Sequence, residues 1–242
     1  MPYEPIVPRA RVGFIIPTSN RMVEPQAQRF MPAGVAPHFT RIRMTNRHSA
    51  PLDQLTARIV DAAEMLAESL CDVIVLQCTG TSMSGGVDGE KVVMAAMEKA
   101  TGKPAISAAS SVMAALAAVS ARKIVFISES EQAGHDKKLR FLRETGLDII
   151  GSKAVSLSGT DEYCVTPPKR WFDEALASRD DAADAYFISC ANIHSIDVIE
   201  EIEAALGKPV VTSNQAAFWN ALRVAGVRDA LPGLGALGRI AK

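Results

Sequence analysis

Two of the four cysteines, Cys78 and Cys190, stand where a thiol can do chemistry. Each closes a short apolar run, Asp72-Val-Ile-Val-Leu-Gln-Cys78 in one case and Asp184-Ala-Tyr-Phe-Ile-Ser-Cys190 in the other. Each then opens a segment rich in hydroxyls, glycine or amides, Thr79 to Gly86 and Ala191 to Ser195. A cysteine after an apolar strand is most often a small buried hydrophobe. That reading fits Cys71 and Cys164, which have no counterparts elsewhere in the chain. Cys78 and Cys190 are counterparts of one another, and a packing role does not require polar segments behind both. Two opposed thiols suit proton transfer on both faces of a carbon next to a carboxylate, one thiolate removing a proton while the other thiol delivers one. A thiolate also adds to an alkene carbon. Either role needs a lowered thiol pKa. The positive ends of following helices and their loop amides are expected to supply it, and to bind substrate carboxylates and an enolate-like intermediate.

The elements that position these thiols repeat as well. Val12 to Pro17 recurs as Ile124 to Glu129, and Asp72 to Cys78 as Asp184 to Cys190, both at an offset of 112 residues. Gly102 to Ser107 recurs as Gly207 to Thr212 at an offset of 105, as a shortened loop would produce. Short β-branched runs alternate with segments of helical period, the pattern of a parallel sheet covered by helices. Strands are predicted near 11–16, 38–44, 72–77, 104–107, 123–128, 147–151, 185–189 and 209–212. Helices are predicted near 51–70, 88–100, 109–119, 132–145, 169–178, 195–206 and 215–225. The first places Leu52, Leu55, Ile59, Ala63, Leu66 and Leu70 on one face, with Pro51 and Asp53 suited to its first turn. Gly146, Gly207 and Gly226 fall where a helix end needs a left-handed residue. The class is α/β, with two pseudo-symmetric Rossmann-like lobes, each a short parallel sheet flanked by helices. Open sheets of this kind bind ligands at the carboxyl ends of their strands, so the active site is expected in the cleft between the lobes. Cys78 and Cys190 then face one another across it, their sulfurs about 6–10 Å apart to leave room for a small planar substrate.

Composition narrows the partner. The chain has 242 residues, 48% hydrophobic and 22% charged, which is the globular range. Twenty-six Lys and Arg against 27 Asp and Glu leave a net charge of −1, without the basic footprint of a nucleic-acid or anionic-membrane binder. The longest apolar run, Val112 to Val119, is far short of the ~20 residues that span a bilayer. The beginning, MPYEPIVPRA, has no basic-then-apolar signal pattern, so the expected location is cytoplasmic and the thiols are expected free. No Cys-x-x-Cys occurs, His38, His48, His135 and His194 show no metal-ligand spacing, and no phosphate-binding glycine motif follows a strand. No metal and no nucleotide or other cofactor is expected.

Several segments carry a family likeness. Pro17-Thr-Ser-Asn20 with Glu24-Pro25, Cys78-Thr79, Ser189-Cys-Ala-Asn192 followed by Ile196-Asp-Val-Ile199, and Gly207-Lys-Pro-Val-Val-Thr-Ser-Asn-Gln215 with Trp219 occur in order over nearly the whole chain. Together they resemble the aspartate/glutamate racemase superfamily, in particular the branch holding maleate cis-trans isomerases and arylmalonate decarboxylases. The resemblance implies two lobes, residues 1–118 plus 216–242 and residues 119–215. It makes Cys78 and Cys190 the catalytic thiols. It puts Pro17, Thr18, Ser19 and Asn20 around a substrate carboxylate, with Thr79, Gly80, Ser130, Ala191 and Asn192 completing the anion hole. A homodimer or larger homo-oligomer is implied by the same likeness. An alternative register sets Gly80-Thr81-Ser82 on the decarboxylase branch's Gly-Thr-Ser, but Cys78 in register needs no gap.

Two departures from the family pattern bear on the substrate. A tyrosine usually follows the strand that opens the second half, whereas this chain reads Ser128-Glu129-Ser130, and a carboxylate at Glu129 repels an anion unless it points away. The asparagine that isomerases present later is not evident within Gly159-Thr-Asp-Glu-Tyr-Cys164. The leading reading is a cofactor-independent isomerase or racemase acting on a small carboxylate or dicarboxylate through both thiols. The second is a decarboxylase using Cys190 alone as proton donor, with Met83, Val87 and Tyr163 helping to line an apolar pocket. The third is a catalytically silent small-acid binding protein.

Overall fold

The computed structural model describes residues 7–43 and 52–241. Two parallel four-stranded sheets organise them. The first holds β1 (Ala10–Pro17), β2 (Val35–Ile42), β3 (Val73–Leu76) and β4 (Ala105–Ser107) in the order β2-β1-β3-β4. The second holds β5 (Lys123–Ser128), β6 (Asp148–Ala154), β7 (Ala185–Ser189) and β8 (Val210–Thr212) in the order β6-β5-β7-β8. Strand for strand the two are the same design.

The helices of the first half are α1 (Val23–Phe30), α2 (Leu52–Glu68), α3 (Thr79–Ser84), α4 (Gly86–Thr101) and α5 (Ala108–Ala118). Those of the second are α6 (Gln132–Glu144), α7 (Thr160–Val165), α8 (Pro168–Ala177) and α9 (Ile199–Leu206), followed by α10 (Ser213–Val224) and α11 (Gly235–Gly238). In the first sheet Val12, Phe14, Ile16, Val73 and Val75 face the large core shared with α5 and α10. Ile15, Ile74 and Leu76 face the other way, into Leu55, Ile59, Ala63 and Leu66 of α2 and Val93 and Met97 of α4. Burial on both faces explains why these strands read as unbroken apolar runs. A Cβ on Gly13 would sit 3.1 Å from Cys71 Sγ, so this thiol fills the space under β1, and burial pushes its pKa up to about 11.

Conserving the repeat are a few polar side chains that do the same job twice. Asp72 Oδ2 accepts from the Arg11 N–H at 2.7 Å, and Asp184 Oδ2 from Arg122 and Lys123 at 2.9 and 2.7 Å. Glu98 and Glu203 each accept from the backbone that starts the next strand, at Ala105 and Val210. Gly102 and Gly207 end α4 and α9 with φ of 64° and 66°, where a side chain is disfavoured. Ser107 and Thr212 open α5 and α10 with capping boxes.

Local differences from expectation have physical causes. The hydroxyl-rich stretch after Cys78 is a helix, α3, with Cys78 as its extended N-cap and Gly85 at its end, and Thr79, Thr81, Ser82 and Met83 are buried. The helix expected over 195–206 begins with a 3₁₀ turn, Ser195–Val198, and is α-helical only from Ile199. Helices α1 and α7 were not expected. Gly146 and Gly226 do take left-handed φ, 83° and 79°. Met44, His48, Pro51 and the Asp53 side chain lie outside the described residues, as does the opening MPYEPI. The end of the chain touches both halves: α10 packs on α5 and β3, while α11 packs on α9 and β8. Among the described residues no helix is long and apolar enough to cross a membrane.

Candidate active site

A cavity of about 660 Å³ opens at the carboxyl ends of β1, β3, β5 and β7, and both repeat cysteines line it. Cys78 is the N-cap of α3, with ordinary extended φ of −150°, and its Sγ donates to Thr81 Oγ1 at 3.2 Å. Cys190 is held quite differently. Its φ is +123°, a conformation rare for any residue with a side chain and costing on the order of 1–3 kcal/mol. Three groups from outside its strand hold it there. The Ser213 hydroxyl accepts from the Cys190 N–H at 3.0 Å, and the Ala191 carbonyl accepts from Asn20 Nδ2 at 2.9 Å and Asn214 Nδ2 at 3.1 Å. The Asn192 N–H then reaches back to Cys190 Sγ at 3.3 Å.

Of the residues expected around the substrate, Pro17, Asn20, Thr79, Gly80, Ser130, Ala191 and Asn192 line the same cavity. Thr18 is exposed and Ser19 half-buried, both outside the lining. Asn20 is already committed: its Oδ1 accepts from the Met22 and Val23 N–H groups at the head of α1, and its amide holds Ala191. Asn192 Oδ1 accepts from the Arg21 N–H at 2.8 Å. Thr79 Oγ1 and Gln77 Oε1 are buried without a hydrogen-bond partner, and both residues face the cavity. An unmet buried polar atom costs about 1–3 kcal/mol, so these two are the natural places for a polar ligand atom. Met83 and Val87, expected in the lining, pack into the core instead; Leu157 and Tyr163 supply the apolar wall.

Three amides behind the cavity were not singled out from the sequence. Gln77 Nε2 donates to Asn214 Oδ1 at 2.7 Å, Asn214 Nδ2 to Gln26 Oε1 at 2.5 Å, and Gln26 Nε2 to the Ile193 carbonyl at 3.0 Å. All three are buried. Asn214 lies in one of the motif segments, but nothing in a local pattern marks Gln26 or Gln77.

The electrostatics correct two expectations. Glu129 neither points away nor stands bare: it lines the cavity and is paired with Lys138, whose Nζ lies 2.8 and 2.7 Å from its oxygens and 2.9 Å from Ser130 Oγ. Nor are the thiol pKa values lowered on balance. Burial raises that of Cys78, partly offset by hydrogen bonds with Thr81, and raises that of Cys190 well above its ordinary value, with Glu129 adding to the rise. Burial is the larger cause at both thiols; α3 has only six residues, and Cys190 leads into a turn rather than a helix. Tyr163 is likewise pushed up, chiefly by burial. Cys164, half-buried, lies beside the site with its Sγ 3.9 Å from the Asn192 carbonyl. Among the described residues no group of His, Cys, Asp and Glu could hold a metal ion.

Comparison with known proteins agrees with this architecture. The family model described as arylmalonate decarboxylase matches residues 12–238. The arylmalonate decarboxylase of Bordetella bronchiseptica is 28% identical over 188 residues, covering 76% of this chain and 78% of that protein. A maleate isomerase of Nocardia farcinica (strain IFM 10152) is 26% identical over 237 residues, 94% of each. A solved structure of Nocardia farcinica maleate cis-trans isomerase, a cysteine-to-serine mutant with a covalently bound succinylcysteine intermediate, superposes with a TM-score of 0.87. It is 23% identical, covering 95% of this chain and 98% of that one.

Proposed function

The chain belongs to the arylmalonate decarboxylase family, and we propose that it is an isomerase of small unsaturated dicarboxylates that works through both thiols without an organic cofactor. The observation that carries this reading is the presence of Cys78 and Cys190 at equivalent repeat positions on one cavity. A binder or a one-thiol enzyme needs only one such group, or none. In the proposed reaction the Cys78 thiolate adds to one alkene carbon of a maleate-like diacid. The new C–S bond takes the sulfur lone pair, and the alkene pair moves toward the carboxylate on the other carbon. The former double bond is then single and turns. Return of the pair expels the thiolate and leaves the trans alkene. A proton from Cys190 can trap the adduct as the succinyl thioether, and its removal reverses the trap. The succinylcysteine seen in the Nocardia farcinica enzyme is the adduct this chemistry produces. Thr79 Oγ1, unpartnered in the cavity, is placed in this reading as a carboxylate donor, with Gly80, Ser130 and Asn192 around it.

A second reading has a specific observation behind it. The decarboxylase from Bordetella bronchiseptica is among the relatives, and Leu157 and Tyr163 give the cavity an apolar wall. Here a malonate loses carbon dioxide, the C–C pair stays behind as an enediolate, and Cys190 protonates it. Packing of α10 on α5 supports the assignment of the chain's end, from 216, to the first lobe, and closure of the two lobes around the substrate belongs to the same proposal, as does a homo-oligomer. The test is incubation of the purified protein in deuterated buffer with maleate, aspartate, glutamate, hydantoins and substituted malonates. Isomerised maleate, deuterated amino acid and released carbon dioxide are separate outcomes. Maleate converted to fumarate is the expected one, carbon dioxide from a malonate alone moves the assignment to the decarboxylase, and binding without turnover throughout makes the chain a small-acid binder.

A further inference from the structure

In the register of the second sheet, Ser128 of β5 lies beside Ser189 of β7, so Glu129 and Cys190 leave neighbouring strands as the next residues and enter the cavity together. The partner of Glu129, Lys138, comes from α6, and α6 packs against α3, the helix that Cys78 caps. Both charged side chains are almost fully buried, 8% and 4% exposed. The pair therefore lines the cavity with both thiols, its carboxylate following the strand next to that of Cys190 and its ammonium coming from the helix packed on the one that Cys78 caps.

We propose that the buried Glu129–Lys138 pair is a fixed dipole that helps give the two thiols opposite roles, holding Cys190 as the protonated acid and easing Cys78 toward the thiolate. Within the isomerase reading it deepens the mechanism by naming an electrostatic difference between the two repeat positions, and Glu129 and Lys138 act as positioning residues rather than on the substrate. Cys78, whose ionisation the pair eases against the cost of burial, gives its proton to solvent as it becomes the nucleophile; Cys190 keeps its own until a carbanion takes it. A charge a few ångströms from a buried group moves its pKa by about 1 to 3. Of the charges acting on Cys190, Glu129 is the strongest and opposes ionisation; of those acting on Cys78, Lys138 is the strongest and favours it. Other groups facing the cavity do not reproduce this split. Asp161 is paired with Arg21, Glu162 accepts from Ser158, Glu131 and Lys137 are at the exposed rim, and Tyr163 is held neutral. His135, on α6, is buried against Phe126 and bonded to Ser128.

Iodoacetamide labelling from pH 6 to 10, resolved by peptide mass spectrometry, reads each thiol separately and needs no substrate. The wild type is expected to label Cys78 with a midpoint at least one pH unit below that of Cys190. In the double variant Glu129→Gln/Lys138→Met the two midpoints should converge. Glu129→Gln alone keeps an oxygen for Lys138 and is expected to fold, and its Cys190 labelling at pH 7.5 should rise about tenfold, as one pKa unit implies. Equal midpoints in the wild type, or unchanged midpoints in either folded variant, overturn the proposal, since a purely structural ion pair would move the melting temperature and leave both midpoints in place. Split midpoints in a protein that turns over nothing would sink the isomerase reading and leave the dipole standing; turnover with equal midpoints would do the reverse.

Discussion

Cys190 pays for its position with backbone strain, and Cys78 does not. A left-handed φ on a cysteine aims its sulfur off the end of β7 in a direction that an extended residue would not take. The Ser213, Asn20 and Asn214 hydrogen bonds hold it there from other elements. Cys78 reaches the same cavity from the N-cap of α3 with ordinary geometry. Unequal support still leaves both groups essential if both transfer protons or one adds to the substrate. Cys78→Ala and Cys190→Ala are each expected to lower kcat on maleate by at least ~10²-fold, the contribution of one positioned acid–base group. Steady-state kinetics on the two variants decide it. A Cys78→Ala protein that still decarboxylates a malonate near the wild-type rate, beside a dead Cys190→Ala, assigns the chemistry to Cys190 alone.

Individual elements show why some of this was legible in the sequence and some was not. The strand-to-cysteine repeat stood out because both sheets bury both faces, so β3 and β7 are unbroken apolar runs whose polar ends are easily aligned. Helix α3 was hidden for the opposite reason: the Thr, Gly and Ser that make up most of 79–84 have poor helix propensity, and what accompanies the helix is the burial of Thr79, Thr81, Ser82 and Met83, which no local pattern shows. Glu129 and Lys138 meet across a strand end and two turns of helix, a spacing that no local rule pairs, so the carboxylate read as an unpaired repulsion. The same element-level reading makes Asp184 testable. Its pKa is lowered by the backbone N–H groups of Lys123 and Arg122 at the entry to β5. A lowered pKa means that the folded chain prefers the charged form. That stabilisation is therefore present above the ordinary aspartate value of about 3.9 and is lost as pH falls through the lower folded value. Thermal melts of Asp184→Ala and wild type should differ most near pH 7 and draw together toward pH 3; a gap that stays constant over that range would show that the charge is not what the two N–H groups need.

At the scale of the whole molecule, the site is made by holding the second half's cysteine turn against the first half's strand ends. Hydrogen bonds from Asn20 to Ala191, Arg21 to Asn192 and Gln26 to Ile193, with the Arg29–Asp197 ion pair, all cross from one half to the other at this edge. Asn20 has two jobs within that seam. Its Oδ1 serves the head of α1, and its amide nitrogen fixes the Ala191 carbonyl next to Cys190. Asn20→Ser separates them, because the serine oxygen can still accept from the α1 N–H groups while its shorter side chain has no amide to reach the Ala191 carbonyl. The Ala191 carbonyl keeps its bond from Asn214, so no buried group is left bare and the stability loss should be about 1 kcal/mol, the usual net worth of one hydrogen bond. Catalysis should suffer far more, since loosening the turn by even ~1 Å misplaces the Cys190 sulfur and costs roughly 10²-fold in kcat. Denaturant melts and kinetics on the same preparation give both numbers. Near wild-type turnover with the expected loss of stability would mean that the two halves hold their register without Asn20, and that the cysteine turn is set by Ser213 and Asn214 at the head of α10.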